Sequence, residues 1–111
     1  MDNTTPALVL IMIEGLCYAV SHGTKPAAMQ PVHSRDLHEV ELIIEREHLW
    51  LKCSILADDW YEVWIYKNET VRKIIDGLPA EPKTACDHAL LGYLFGYDTE
   101  SICEYIEEHV K

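Results

Sequence analysis

The segment Trp60-Tyr61-Glu62-Val63-Trp64-Ile65-Tyr66 places the hardest condition on any fold for this chain. It is rich in aromatic and β-branched residues, which suit the pleated surface of a strand. Side chains alternate along a strand, so Trp60, Glu62, Trp64 and Tyr66 share one face and Tyr61, Val63 and Ile65 the other. Both faces are then substantially apolar. Either helices cover both sides of the sheet, or an aromatic stripe stays open as an interaction surface. Large aromatics are the usual anchors of binding hot spots, which makes Trp60, Glu62, Trp64 and Tyr66 candidate partner-binding residues. Trp50 belongs to the neighbouring strand, and its face depends on the register.

The rest of the chain is read outward from that strand. Leu49, Leu51, Cys53 and Ile55 alternate with Trp50, Lys52 and Ser54, and Ala57-Asp58-Asp59 supplies a turn. Leu49–Leu56 and Trp60–Lys67 therefore form a hairpin. Upstream, Val40, Leu42 and Ile44 alternate with Glu41 and Glu45, which predicts a further strand from His38; Ile43 breaks the polar face and leaves a helix over Asp36–Glu47 as the rival. Thr70–Ile75 is a fourth short strand or, on a reading nearly as good, part of a helix over Glu69–Asp76. Residues Thr24 to Arg35 contain two prolines and no periodicity, so they read as a connecting loop.

Helices are expected at both ends. Thr4-Thr5-Pro6 is a strong start signal for a helix over Pro6–His22, which Gly23 ends and Pro26 keeps from resuming. Its segment Ala7–Ile13 is apolar on every side, as in a helix buried all round or packed against a second copy; the competing reading is a buried strand over Leu8–Ile13. Near the C-terminus, Thr84 and Asp87 make a capping-box variant and Gly96 closes that helix after Phe95. Asp98 or Thr99 caps a last helix over Thr99–Val110. One face of it holds Ile102, Cys103, Tyr105, Ile106, His109 and Val110, the other Glu100, Glu104, Glu107 and Glu108. The fold class is one α+β domain over residues 1–111: an apolar amino-terminal helix at 6–22, a three- or four-stranded antiparallel β-meander over about 38–75, and a helical hairpin at about 84–110.

Charge narrows the partners. Of 111 residues, nineteen are acidic and nine are Lys or Arg, a formal charge of −10, so the chain should repel nucleic acid and anionic lipid. Sixteen of the acids lie from residue 38 onward. The last two helices, joined by Gly96-Tyr97-Asp98, have the outline of a helix-turn-helix, but a DNA reader presents Arg, Lys, Asn or Gln where this chain presents four glutamates. The longest apolar stretch, Ala7 to Val20, is interrupted by Glu14 and is shorter than the ~20 residues of a spanning helix. With Met1-Asp2-Asn3 at the start and no Lys or Arg before Lys25, no export signal is read, and a cytoplasmic location is expected. Cys17, Cys53, Cys86 and Cys103 are widely spaced and are expected as reduced, mostly buried thiols.

No catalytic, cofactor or metal site is expected. His33 and His38 lie near Asp36, Glu39 and Glu41, and Cys86 near His88, but neither group matches a zinc spacing. Cys86 sits where a helix start lowers a thiol pKa, yet Asp87 opposes it and neighbouring helix positions do not face one another, so the core is the expected place for this thiol. Gly92 and Gly96 make a G-x-x-x-G spacing that permits close helix approach. The expected function is non-enzymatic protein binding. Glu100, Glu104, Glu107 and Glu108 make a ridge of carboxylates able to imitate nucleic acid in a basic groove of a nucleic-acid-handling protein. In composition this resembles inhibitors carried by phages or mobile elements, such as anti-CRISPR and other anti-defence proteins. The alternative is a structural or adaptor subunit that homodimerises or docks through its apolar helix and aromatic strand.

Overall fold

The computed structural model of the chain describes residues 6–79 and 81–109. The elements in order are α1 (Pro6–Ser21), β1 (Ala27–His33), a 3-10 turn (Ser34–Asp36), α2 (Leu37–Arg46), β2 (Trp50–Ala57), β3 (Trp60–Tyr66), α3 (Glu69–Asp76), α4 (Ala85–Leu94) and α5 (Thr99–His109). The class is α+β, with an amino-terminal helix, a three-stranded antiparallel sheet and C-terminal helices. The strand order is β1-β3-β2. β3 therefore lies in the middle, with Met29 and Lys52 opposite Trp64 on its two sides.

Helices cover both faces of β3. Val63 and Ile65 join Val9, Ile13, Cys17 and Val20 of α1 and Val40, Ile43 and Ile44 of α2 in one core. Trp64 and Tyr66 join Val71 and Ile75 of α3 and Leu94 of α4 in a second core on the opposite face. The result is three layers. α5 packs chiefly on α4, outside the second core, where Ile102 lies so close that a Cβ on Gly92 would come within 2.6 Å of its Cγ1. The G-x-x-x-G spacing thus marks a real approach of two helices at Gly92.

Three expectations are corrected. Residues Ala27–His33 form an edge strand, not a loop. An edge strand leaves half its N–H groups outside the ladder, so Pro31 is tolerated there, and Ala27 and Ala28 are both buried because both faces are covered, which erases the alternation. The strand expected from His38 gives way to its rival reading, helix α2, which buries Val40, Ile43 and Ile44 at helical spacing. The fourth strand at Thr70–Ile75 gives way to the other reading of that segment, the helix over Glu69–Asp76, which is α3, capped by Asn68 Oδ1 accepting from the Val71 N–H at 2.9 Å. The sheet thus draws its first strand from 27–33, upstream of the expected range. The hairpin, α1 as a helix and both C-terminal helices stand where the sequence places them. The Thr4-Thr5 cap and Val110 lie outside the described residues.

Three helices share one form of C-terminal closure, and α2 achieves it without glycine. α1 and α4 close with the same pair of hydrogen bonds: Thr24 N–H to Ala19 O (2.9 Å) with Gly23 N–H to Val20 O (3.2 Å), and Tyr97 N–H to Gly92 O (2.9 Å) with Gly96 N–H to Tyr93 O (3.0 Å). Gly23 and Gly96 take the left-handed conformation this closure needs, with φ of 78° and 81°. α2 closes in the same way through Leu49 N–H to Ile44 O and His48 N–H to Glu45 O, but the left-handed residue is His48, at φ 59°. A side chain there is strained by roughly 1–2 kcal/mol. His48→Gly is expected to raise stability by about 1 kcal/mol, seen as a higher urea midpoint at unchanged slope. An unchanged or lower midpoint would show that the His48 side chain compensates for its backbone.

Three aspartates couple the fold to pH. Backbone N–H groups of Lys83 and Thr84 hold Asp87 below the usual aspartate value of 3.8, and the two-way Thr84–Asp87 capping box starts α4. Hydrogen bonds from Ser101 N–H hold Asp98 down at the start of α5. Asp76 is lowered by Lys52 Nζ at 2.8 Å, which ties β2 to α3, and by Arg72. A lowered folded-state pKa means stability that is complete above the ordinary value and lost as pH falls through the folded one. Urea midpoints are expected to stay flat from neutrality to pH ~4.5 and to fall below pH ~4, with a shallower fall in Asp87→Asn. An equal acid slope in that variant would remove the cap as a cause.

Candidate functional site

The outward side of α1 is the most unusual surface of the molecule. At 100° per residue, Leu8, Ile11, Met12, Gly15, Tyr18 and His22 fall within an arc of roughly 120° opposite the buried Ile13. Leu8 is 48% exposed, Ile11 65%, Met12 41% and Tyr18 64%. No charged residue lies in this arc. Glu14 stands at its border and receives Arg46 Nη2 of α2 at 3.1 Å. At the C-terminal end, the Tyr18 and His22 rings stack with centroids 3.9 Å apart, and His22 Nδ1 lies 3.0 Å from the Tyr18 carbonyl oxygen. The arc therefore ends in a pre-ordered flat surface, which a partner could cover with little loss of side-chain freedom.

The candidate residues of the aromatic strand have other roles. Trp64 is 6% exposed and stacks on Phe95, with centroids 5.5 Å apart and planes 12° from parallel. Tyr66 is 5% exposed and its hydroxyl accepts from Arg72 Nη1 at 2.6 Å. Glu62 Oε1 accepts from Trp64 Nε1 at 2.7 Å, and Trp60 is half-buried, edge-on to His33. Of the two alternatives for the stripe, the structure has the covered one at Trp64 and Tyr66, where α3 and α4 supply the layer, while Trp60 and Glu62 stay half-buried. The register sets Trp50 opposite Tyr66, and Trp50 is exposed on edge strand β2 together with Ile55 and Leu56.

Glu100, Glu104, Glu107 and Glu108 are all exposed on α5, and among the described residues none enters a salt bridge. Glu39, Glu41, Glu45 and Glu47 belong to α2 and its end, on the opposite side of the sheet from α4 and α5. On the α5 side the four glutamates have Glu62 of β3 and Glu69, Asp76, Asp87 and Asp98 on or beside α3 and α4.

Two clefts remain. One, of about 390 Å³, opens between α4 and α5 and is mainly apolar, with His88, Phe95, Ser101 and Tyr105 in its wall. The other, of about 530 Å³, lies over β2 and β3, where Lys52 and Glu62 hold Asp76 and Trp64 respectively. Among the described residues no group of three or more His, Cys, Asp and Glu side chains could hold a metal ion. His22 and His109 each place Nδ1 3.0 Å from a carbonyl oxygen one turn back. All four thiols are free, but the expectation that they are mostly buried is corrected. Cys17 alone is buried, which pushes its thiol up to about 11 and makes it inert; Cys53 is half-buried and also raised by burial. Cys86 and Cys103 are exposed. Cys86 is in the first turn of α4, ahead of Leu91, Leu94 and Phe95, which reach the core.

No family model matches the chain, and no curated protein and no solved structure is significantly similar to it. The surface residues therefore carry the functional reading. Sequence patterning flagged the apolar helix but could not separate Ile11 and Tyr18, which face out, from Ile13 and Cys17, which face in. Trp64→Ala is expected to cost about 3–5 kcal/mol of stability, through loss of burial and of the Phe95 stack. A variant of parental stability that had lost a partner would return the strand to the interaction surface.

Proposed function

We propose that the protein is a non-enzymatic protein-binding module, a structural or adaptor subunit that docks through the outward face of α1. The observation that carries this reading is the uncharged, exposed apolar arc from Leu8 to His22 on a chain of charge −10. A helix apolar on every side is ordinarily buried all round, and here one side is uncovered. Apolar side chains clustered on a rigid helix are the usual composition of an interface centre. A membrane surface is the poorer occupant, because lipid-binding helices carry Lys or Arg beside the apolar face and α1 has neither. No helix among the described residues is long and apolar enough to cross a membrane. Four free cysteines suit a reducing compartment, and the cytosol is the location we propose.

A second reading rests on α5. Its four glutamates, exposed and in no salt bridge among the described residues, favour occlusion of a basic, nucleic-acid-handling protein, as an inhibitor of the anti-defence or anti-CRISPR kind would act. The two readings separate by salt and by mutation. Protein captured by the parent is compared at low and high salt with that captured by Ile11→Glu/Tyr18→Glu and by a chain with Glu100, Glu104, Glu107 and Glu108 changed to Lys. Docking through α1 is expected to give a salt-resistant partner that the first variant loses and the second keeps. The reverse pattern, with release as salt rises, would transfer the function to α5.

A further inference from the structure

We propose that the occupant of the α1 face is α1 of a second copy of this chain, antiparallel, with the two-fold axis passing at Gly15. This rests on the reading of that face as the docking surface and names its partner. Gly15 supplies the first argument. It lies in the middle of α1, where glycine weakens a helix, yet its φ is not in the left-handed region and a Cβ built on it meets nothing within 4 Å. Among the described residues nothing packs on it that would require a glycine. Gly92, by contrast, is explained by Ile102. A bare helix surface at the centre of an exposed apolar arc suits the close approach of another backbone.

Spacing supplies the second argument. Leu8, Ile11, Gly15, Tyr18 and His22 recur at intervals of three and four, the seam along which two helices pack. A two-fold contact requires a patch that fits itself. Placing Gly15 against Gly15 in antiparallel keeps each flank of the arc with itself, so Met12 meets the small Ala19, Ile11 meets the flat ring of Tyr18, and Leu8 lies level with the His22 ring stacked on Tyr18. Each large side chain thereby meets a small or flat one.

Charge and area supply the third. Two chains of charge −10 repel, and the α1 arc itself carries no charge; Glu14, at its border, meets its own copy beside the axis and is countered in each copy by Arg46 Nη2 at 3.1 Å. Its exposed side chains offer on the order of 400 Å² per copy, about 1,000 Å² in total with flanking residues, the low end of specific interfaces. The dimer is therefore sought at micromolar concentrations and above.

Sedimentation of the full chain from about 1 to 300 µM, at low and high salt, tests the pairing. The expected result is a dimer that tightens as salt screens the like charges. Ile11→Glu is expected to weaken it at least about a hundredfold, since it buries two unpaired carboxylates. Gly15→Leu is expected to weaken it while leaving the urea midpoint no lower, because the added side chain has open space within the monomer. In a Cys86→Ser/Cys103→Ser background, Gly15→Cys is expected to form a disulfide-linked dimer on oxidation, and Leu42→Cys, exposed on α2, is not. A parent that stays monomeric to the top of the range, or a dimer indifferent to Ile11→Glu and Gly15→Leu, would overturn the pairing. A monomeric parent whose capture of a different protein still depends on Ile11 and Tyr18 would overturn the second copy alone and leave the docking face standing; independence of both from α1 would overturn both.

Discussion

The burial of β3 on both faces is the constraint from which the rest of the structure follows. A strand with Val63 and Ile65 on one side and Trp64 and Tyr66 on the other loses water-excluded apolar area unless each side has its own layer. One layer is α1 with α2, the other α3 with α4. β3 is also the central strand, and the edges are β1 and β2. Pro31 is compatible only with an edge, and the exposed Trp50, Ile55 and Leu56 lie on the other edge strand.

The layering also decides where the surface chemistry lies. Because α5 packs on α4 and not on the sheet, its four glutamates project from the far side of the second layer, away from the acids of α2. Like-charged groups are thereby separated and the apolar arc of α1 is left neutral. Glu14 and Arg46 mark the border between that arc and the charged surface of α2. The two kinds of surface are physically distinct, one an uncharged helix face fixed on a packed layer and the other a solvated ridge on a helix held mainly by one neighbour.

How legible each element was depends on whether its signals were local. The β2–β3 hairpin, the Thr84–Asp87 capping box and the glycine closures of α1 and α4 are set by residues next to one another, and the sequence shows them. The start of α2 carries a local mark, Asp36 with Glu39 three residues on, although Asp36 makes no side-chain capping bond; its end carries none, since the left-handed position holds His48 in place of glycine. With no glycine to close it, the alternation of Val40, Leu42 and Ile44 competed with the helical spacing of Val40, Ile43 and Ile44. β1 failed for the opposite reason, since coverage on both faces removed the alternation by which strands are recognised. The α1 face was visible as an excess of apolar residues, but the sequence gives no account of which of them the sheet would take.

By itself the sequence determined the α+β class, the need for β3 to find two apolar partners, the ends of the glycine-closed helices and the strongly acidic charge. These follow from backbone preference, alternation and composition, each a property of neighbouring residues. Only the tertiary structure decided that Trp64 and Tyr66 are covered, that the acids are divided between two sides, and that Leu8, Ile11, Met12 and Tyr18 face outward around Gly15. Burial is a contest among all the apolar surfaces of a chain for a limited core, and its outcome depends on strand order and helix placement, which residues far apart in sequence settle together.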